Sequence, residues 1–106
     1  MVVSIIRFRV KMMKGFILEK VWPSQRNMLK DTKGFISARL MRSNEDKRIF
    51  IIETVWENED SLNAWKTAAR EKGGEHIERM LKGESKMVEP PYTVERYSVI
   101  SESGNE

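Results

Sequence analysis

The sequence has no cysteine, and it contains only one histidine and three prolines among 106 residues. Without cysteine the chain cannot form a disulfide, use a thiolate as a nucleophile or hold a metal ion through sulfur. It also lacks a run of about 18 apolar residues, which a membrane-spanning helix requires. The N-terminal stretch MVVSIIRFRV alternates and does not form the continuous apolar core of a signal peptide. We therefore expect a cytoplasmic protein that contacts no membrane.

Short motifs that mark catalysis or cofactor binding are also missing. The chain contains no phosphate-binding loop, no zinc signature and no serine–histidine–aspartate arrangement. We therefore predict no metal site and no cofactor.

Size and composition indicate one globular domain. Apolar residues make up 40% of the chain and charged residues 33%. We predict a single domain over residues 1–100 and a frayed C-terminal tail over 101–106. A chain of this length buries only about 65% of its unfolded surface when it folds alone, so a second copy that covers more surface is expected.

The net charge of +3 is unevenly distributed along the chain. Residues 1–50 carry twelve Lys or Arg against four Asp or Glu, and residues 51–106 carry seven against twelve. A basic half can attract nucleic acid or an anionic ligand, although scattered lysines that solvate a helix and loops explain it as well. An RNA-recognition module would need glycines and more aromatic residues in its third strand, and RIFIIETVW has no glycine. We therefore expect no nucleic-acid partner.

The stretch IFIIETVWENEDSLNAWK, residues 49–66, predicts a strand, a sharp turn and a helix. Residues 49–56 are almost all β-branched or aromatic, which is typical of a central strand covered on both faces. Asn58 stands at the N-cap position of the helix, and two acidic residues follow in its first turn. Leu62 and Trp65 are spaced to share one helix face.

The remaining elements are predicted from alternation, helical spacing and turn residues. Pro23 lies inside the first helical run, where it removes a hydrogen bond, so we expect a kink or a break near Trp22. Pro90 and Pro91 are expected to end the preceding secondary-structure element, so that the last strand begins at Tyr92. The predicted elements are a strand over 6–12, a helix over 16–30, strands over 35–42 and 49–56, a helix from 59 to about 73, a short helix over 75–81 and a strand over 92–100.

This β-α-β-β-α-β order predicts an α+β protein with the ferredoxin-like fold, in which helices cover one face of an antiparallel sheet. The strand over residues 49–56 is apolar on both faces, and two helices can cover only one of them. A second copy of the same sheet is the simplest cover for the other face, so we expect a homodimer.

Three segments resemble the antibiotic biosynthesis monooxygenase (ABM) family of dimeric α/β-barrel proteins. They are KGFISARLMRS, IETVWENEDSLNAW and YTVERYSVI, and with the opening strand they span roughly residues 3–100. The spacing of Trp56 and Trp65 in the second segment is the most specific feature. The resemblance implies a dimer whose two sheets close into a barrel, with a ligand pocket between sheet and helices in each subunit.

The resemblance also implies a choice of activities. Some members oxidise quinols or polycyclic phenols with oxygen and without a cofactor, others bind haem and degrade it, and many have no demonstrated activity. We expect a cofactor-independent monooxygenase that acts on a small hydroxylated aromatic molecule or a quinol. The alternatives are a haem-binding or haem-degrading protein, and a non-enzymatic dimer that binds a hydrophobic small molecule.

The resemblance assigns candidate catalytic roles to Trp65 and His76. In haem-degrading members a strand-one asparagine, a helix-two tryptophan and a histidine about ten residues beyond it form the site. Trp65 matches the tryptophan and His76 lies eleven residues further on, but Phe8 stands where the asparagine would be. In cofactor-free members an asparagine about one turn before the tryptophan can position the substrate, and Ser61 occupies that place. We expect Phe8, Trp22, Ser61 and Trp65 to contact the ligand.

Structural roles compete with each of these assignments. Trp65 is equally well explained as a core aromatic residue under the sheet, and Trp56 at the strand's end is better explained as a structural anchor. A single histidine on a short charged helix, such as His76, is commonly exposed to solvent. Trp22 lines the pocket mouth only if the first helix kinks beside it.

Arg7 and Arg9 alternate with apolar residues in the first strand. If they face the interior of a barrel, they need carboxylate partners, and Glu53 and Glu95 are the candidates. The other possibility is that the two arginines bind an acidic ligand.

Overall fold

The computed structural model describes residues 1–12, 14–71 and 88–104. This part of the chain contains four strands and two helices, and it confirms the predicted α+β class. The predicted short helix over 75–81, the predicted end of the second helix near residue 73 and the candidate His76 lie outside the described residues. The elements are β1 (Val2–Val10), α1 (Gly15–Leu29), β2 (Phe35–Arg42), β3 (Ile49–Trp56), α2 (Glu59–Glu71) and β4 (Val88–Ser98).

The four strands form one antiparallel sheet in the order β2-β3-β1-β4. This order is that of the ferredoxin-like fold, so the predicted topology is confirmed. β1 and β3 lie at the centre, where each pairs with two neighbours, and β2 and β4 are edge strands. The bounds of β2 and β3 are those predicted from the sequence.

The two faces of the sheet differ in how well a single chain covers them. Along β3, burial alternates, so that every second side chain is buried and the ones between are partly exposed. Leu18 of α1 and Leu62 of α2 pack against the buried set, which therefore defines the helix face. We call the opposite side the open face. The side chains that β3 places on the helix face are Phe50, Ile52, Thr54 and Trp56, and those on the open face are Ile49, Ile51, Glu53 and Val55.

α2 begins where the sequence predicts. The side-chain Oδ1 of Asn58 accepts a hydrogen bond of 2.9 Å from the backbone N–H of Ser61, which is the geometry of an N-cap. Glu59 and Asp60 lie in the first turn, where negative charge is favoured by the helix dipole. The turn after β3 and the start of α2 are therefore held by local interactions that the sequence reveals.

α1 continues without interruption through Pro23, so the helix does not break near Trp22, and the alternative, a kink at that place, stays a prediction. Pro23 is exposed, and its missing N–H leaves the carbonyl of Glu19 on the exposed side of the helix, where water can hydrate it. Leu18 and Leu29 lie on either side of the proline and are both buried. Burial of both halves against the sheet keeps the helix in one piece.

β4 begins at Val88, so Pro90 and Pro91 lie inside the strand and the predicted start at Tyr92 is wrong. Arg7 pairs with Thr93 while Arg9 pairs with Glu89, so three residues of β4 stand opposite one residue of β1. Such a bulge needs no ladder hydrogen bonds from the residues within it. Because β4 is also an edge strand, it can hold two prolines without losing its pairing to β1.

The core under the helix face is divided into two groups of side chains. The phenylalanine cluster contains buried Phe8, Val10, Leu18, Phe50, Ile52 and Val88, with Ile6, Trp22, Leu40 and Tyr92 packed against it. The tryptophan cluster contains buried Leu29, Trp56 and Leu62, with Val2, Phe35, Ala38 and Trp65 packed against it. α1 contributes to both clusters through Leu18 and Leu29, whereas the described side chains of α2 contribute to the tryptophan cluster alone.

Candidate functional site

Three aromatic rings contact one another in the tryptophan cluster. The ring centroids of Trp56 and Trp65 are 5.5 Å apart with an interplanar angle of 34°, and those of Phe35 and Trp56 are 5.6 Å apart at 74°. Trp56 is fully buried, whereas Trp65 and Phe35 keep part of their surface. These distances and angles are those of favourable aromatic pairs. Trp65 is thus an indole held against a rigid aromatic base, with part of its surface left to contact another molecule.

A row of polar side chains separates the two clusters on the helix face. Ser4 of β1 pairs with Thr54 of β3 on one side and with Arg96 of β4 on the other. Ser4 and Thr54 are buried, with 2% and 6% of their surface exposed. Along β1, Val2 belongs to the tryptophan cluster and Ile6 to the phenylalanine cluster, so Ser4 lies between them. We call Thr54, Ser4 and Arg96 the polar row.

Two members of the polar row have partners in the described part of the chain. The hydroxyl oxygen of Thr54 accepts a hydrogen bond of 3.0 Å from Nε1 of Trp56. The guanidinium of Arg96 donates a hydrogen bond of 2.7 Å to Oδ1 of Asn63 and lies 3.6 Å from a carboxylate oxygen of Glu59. Arg96, the member of the polar row on β4, therefore connects this edge strand to the first turns of α2.

The predicted site residues fall into three different places. Phe8 and Trp22 both belong to the phenylalanine cluster, where the Phe8 ring stacks 6.3 Å from that of Phe50. Trp65 belongs to the tryptophan cluster. Ser61 lies at the start of α2 and against the turn at Gly34. The structure thus brings Phe8 and Trp22 together, and the polar row runs between that pair and Trp65.

Sequence reasoning missed Ser4 as a residue of this region. Its position carries a signal, because the other helix-face positions of β1 are all apolar and Ser4 alone interrupts them. Thr54 interrupts the helix face of β3 in the same way. A small hydroxyl residue at an inward position of two neighbouring strands indicates a polar site inside an apolar core.

A cleft of about 410 Å³ lies between the last turns of α1 and the start of β2. Arg26, Asn27, Lys30, Phe35 and Ile36 line it, and Phe35 connects it to the tryptophan cluster. Basic residues at the C-terminal end of a helix are stabilised by the helix dipole and by the free carbonyl groups, which accounts for Arg26 and Lys30 without a ligand. Trp65 does not line this cleft.

Comparison with known proteins decides the family. The family model described as antibiotic biosynthesis monooxygenase matches residues 1–81 of the chain. The chain belongs to the ABM family. No sequence among curated proteins matches it at a significant level.

Solved structures with the same fold cover almost the whole chain. MhuD from Mycobacterium tuberculosis, a haem degrader with two haems bound in its active site, superposes with a TM-score of 0.76 at 20% identity, over 98% of this chain and 100% of that one. A protein assigned to the ABM family from Deinococcus radiodurans gives 0.75 at 15% identity over 100% and 98%. Another such protein, from Nitrosomonas europaea, gives 0.71 at 16% identity over 95% and 100%. At these identities the similarity establishes the ABM fold and leaves the ligand open.

Arg7 and Arg9 lie on the open face, and neither of them is paired with Glu53 or Glu95 in the described part of the chain. Arg9 forms an ion pair of 3.2 Å with Asp46, and Glu53 pairs with Arg39 at 2.8 Å. Glu95 accepts a hydrogen bond from the hydroxyl of Tyr97. The carboxylate that pairs with Arg9 is therefore Asp46, in the loop between β2 and β3, which the sequence did not suggest.

The described residues offer neither a cluster of metal ligands nor a membrane-spanning helix. Within residues 1–12, 14–71 and 88–104, no three acidic or imidazole side chains are grouped so that they could hold a metal ion. None of the described helices is long and apolar enough to cross a membrane.

Proposed function

We propose that the chain is a cofactor-independent monooxygenase that binds a small hydroxylated aromatic molecule or a quinol between the sheet and the helices, against Trp65. The observation that carries the proposal is the partly exposed indole of Trp65, held 5.5 Å from the buried ring of Trp56. A planar substrate ring gains most from such a surface when it lies offset and parallel to it. Membership of the ABM family supports oxygen chemistry at this place.

The proposed chemistry begins with transfer of the proton of the substrate hydroxyl to solvent water. Oxygen is the oxidant: one of its atoms enters the ring, the other leaves as water, and the phenol becomes a quinone. A phenolate donates electrons to oxygen more readily than a phenol, so the reaction can proceed without flavin or metal. The protein contributes an apolar, water-poor environment around the ring, together with a fixed orientation from Trp65. Apolar surroundings strengthen any hydrogen bond made to the developing negative charge.

We further propose that the functional unit is a homodimer formed through the open face. This face presents partly exposed apolar side chains from both central strands, including Ile5, Ile49, Ile51 and Val55. Exposure of this apolar patch to water is unfavourable, and the open face of a second copy would cover it. The proposed dimer leaves the helix face of each subunit free to hold its own ligand.

Haem is the second candidate ligand, and similarity to haem-bound MhuD favours it only at the level of fold. The described residues do not fit haem degradation. Phe8, at the strand-one position discussed above, is buried and stacked on Phe50, and a phenyl ring neither donates nor accepts a conventional hydrogen bond. We therefore propose no step through haem. Binding of a hydrophobic small molecule without turnover remains the third candidate.

The test is oxygen uptake with a panel of quinols and phenols, measured for the wild type and for Trp65→Phe. We expect at least about tenfold slower uptake in the variant, because the smaller ring positions the substrate less well. Phe16→Leu is the matched control, since Phe16 is an exposed aromatic residue of α1. If the wild type consumes no quinol but its tryptophan fluorescence is quenched by one, the protein is a binder. If neither occurs, the proposal is rejected.

A further inference from the structure

Ser4 is a buried hydroxyl without a hydrogen-bond partner among the described residues. Only 2% of its surface is exposed, although it is polar. A buried hydroxyl that makes no hydrogen bond costs about 1–3 kcal/mol, so such groups are uncommon in folded proteins. Its two cross-strand neighbours form side-chain hydrogen bonds with other residues, Thr54 with Trp56 and Arg96 with Asn63, and neither is hydrogen-bonded to Ser4.

Thr54, beside Ser4, has a hydroxyl proton that is not used in a hydrogen bond among the described residues. Its hydroxyl oxygen accepts the hydrogen bond from Trp56, and that bond leaves the hydroxyl proton free to be donated. Among the described residues, no acceptor receives a hydrogen bond from this hydroxyl. Ser4 and Thr54 are directly paired on the same face, where the β-carbons of such pairs are about 4.5–5.5 Å apart. An oxygen atom placed between them can therefore accept hydrogen bonds from both.

Ser4 and Thr54 lie close to the place where the ligand is proposed to bind. Ser4 and Thr54 lie at the boundary between the phenylalanine cluster, which contains Trp22, and the tryptophan cluster, which contains Trp65. Thr54 is hydrogen-bonded to Trp56, on whose ring Trp65 rests, so the pair lies beside the proposed ring-binding surface. An aromatic ligand without a hydroxyl would leave both donors unsatisfied there.

We infer that Ser4 and Thr54 form a donor pair that holds the oxygen of a hydroxylated aromatic ligand and favours its ionised form. This inference rests on the proposed function, since it assumes that the ligand binds between sheet and helices. Hydrogen bonds donated to a charged oxygen stabilise the charged state, so the pair lowers the pKa of the bound hydroxyl. The pair thereby selects phenols over their ethers and prepares the substrate for oxidation.

The test uses 4-nitrophenol, whose absorbance reports its ionisation, and its methyl ether, 4-nitroanisole. Binding of both to the wild type is followed by quenching of tryptophan fluorescence. We expect bound 4-nitrophenol to ionise about one pH unit lower than in water, and Ser4→Ala to reverse most of that shift. Ser4→Ala is also expected to weaken nitrophenolate about tenfold and to leave 4-nitroanisole unchanged.

Two controls make the result decisive. Ser24→Ala removes an exposed hydroxyl from α1 and should change nothing. The melting temperature of Ser4→Ala without ligand should equal or exceed that of the wild type, because no protein partner is lost. A clear fall in melting temperature would show that Ser4 has such a partner and would overturn the inference.

The outcomes also separate this inference from the proposed function. If 4-nitrophenol binds and its ionisation is the same in Ser4→Ala and the wild type, the donor pair is wrong while the aromatic site stands. If the wild type binds neither compound and consumes no other phenol, the site and the donor pair are both rejected.

Discussion

The indole Nε1 of Trp56 donates a hydrogen bond of 3.0 Å to the hydroxyl of Thr54, two residues earlier on the same face of β3. Both residues are buried, so the bond satisfies the one polar atom that the indole brings into the core. It also fixes the ring on which Trp65 rests. The aromatic part of the site and its polar row are therefore connected through a single hydrogen bond.

Breaking this bond should destabilise the protein from either side. Trp56→Phe leaves a cavity and removes the donor, and Thr54→Val leaves the indole N–H unpaired. We expect each variant to lose about 1–3 kcal/mol in the free energy of unfolding. The double variant should lose less than the sum, with a coupling energy of about 1 kcal/mol. Urea denaturation of the four proteins measures this, and additive losses would contradict the bond.

The turn before β2 provides a second prediction. Gly34 has φ of +79°, a conformation that costs other residues about 1–2 kcal/mol. A β-carbon added there would also lie 2.5 Å from the β-carbon of Ser61, well inside van der Waals contact. Gly34→Ala should therefore lower the free energy of unfolding by about 2 kcal/mol or more.

A variant of Ser61 separates the two causes of that loss. In a Ser61→Gly background, Gly34→Ala keeps the backbone strain and loses the contact with the side chain. We expect the added cost of Gly34→Ala to fall there to about 1–2 kcal/mol. Equal costs in both backgrounds would mean that Ser61 moves aside freely.

Much of the fold is readable from the sequence because its signals are local. The bounds of β2 and β3 follow from the turn residues beside them and, for β3, from its β-branched and aromatic residues. Asn58 marks the start of α2 by a side-chain hydrogen bond to its first turn. Pro90 and Pro91 misled the prediction, and Pro23 does not interrupt α1, since the cost of a proline depends on whether the missing N–H faces water, a bulge or a neighbouring strand. The surroundings of each proline are known only from the tertiary structure.

The candidate site is less readable for the same reason. Trp65 is recognisable from its spacing after Trp56. Ser4, however, becomes notable only once its exposed fraction and its cross-strand neighbours are known. The separation of Trp22 from Trp65 into different clusters likewise depends on how α1 and α2 pack on the sheet.

The open face leads to a prediction about assembly. At micromolar concentration, the wild type should sediment as a dimer with twice the subunit mass of 12.4 kDa. Ile51→Lys places a charge on the open side of a central strand, where burial in an interface would cost several kcal/mol, and should yield monomers. Ser24→Lys adds the same charge on an exposed part of α1 and should remain dimeric. A monomeric wild type would remove the basis for the proposed dimer.

Haem is expected to bind weakly, if at all, and to remain intact. His76 is the only imidazole in the chain and hence the candidate axial ligand, so haemin binding followed by the Soret band should be lost in His76→Ala. Oxidative opening of the ring would further need a polar group beside the bound oxygen; the family resemblance puts Phe8 at that position, and Phe8 is buried against Phe50 with no hydrogen-bonding atom. Small movements cannot supply the missing group. Addition of a reductant and oxygen should therefore give no open tetrapyrrole, whereas tight binding through His76 followed by ring opening would favour the haem-degrading alternative over phenol oxidation.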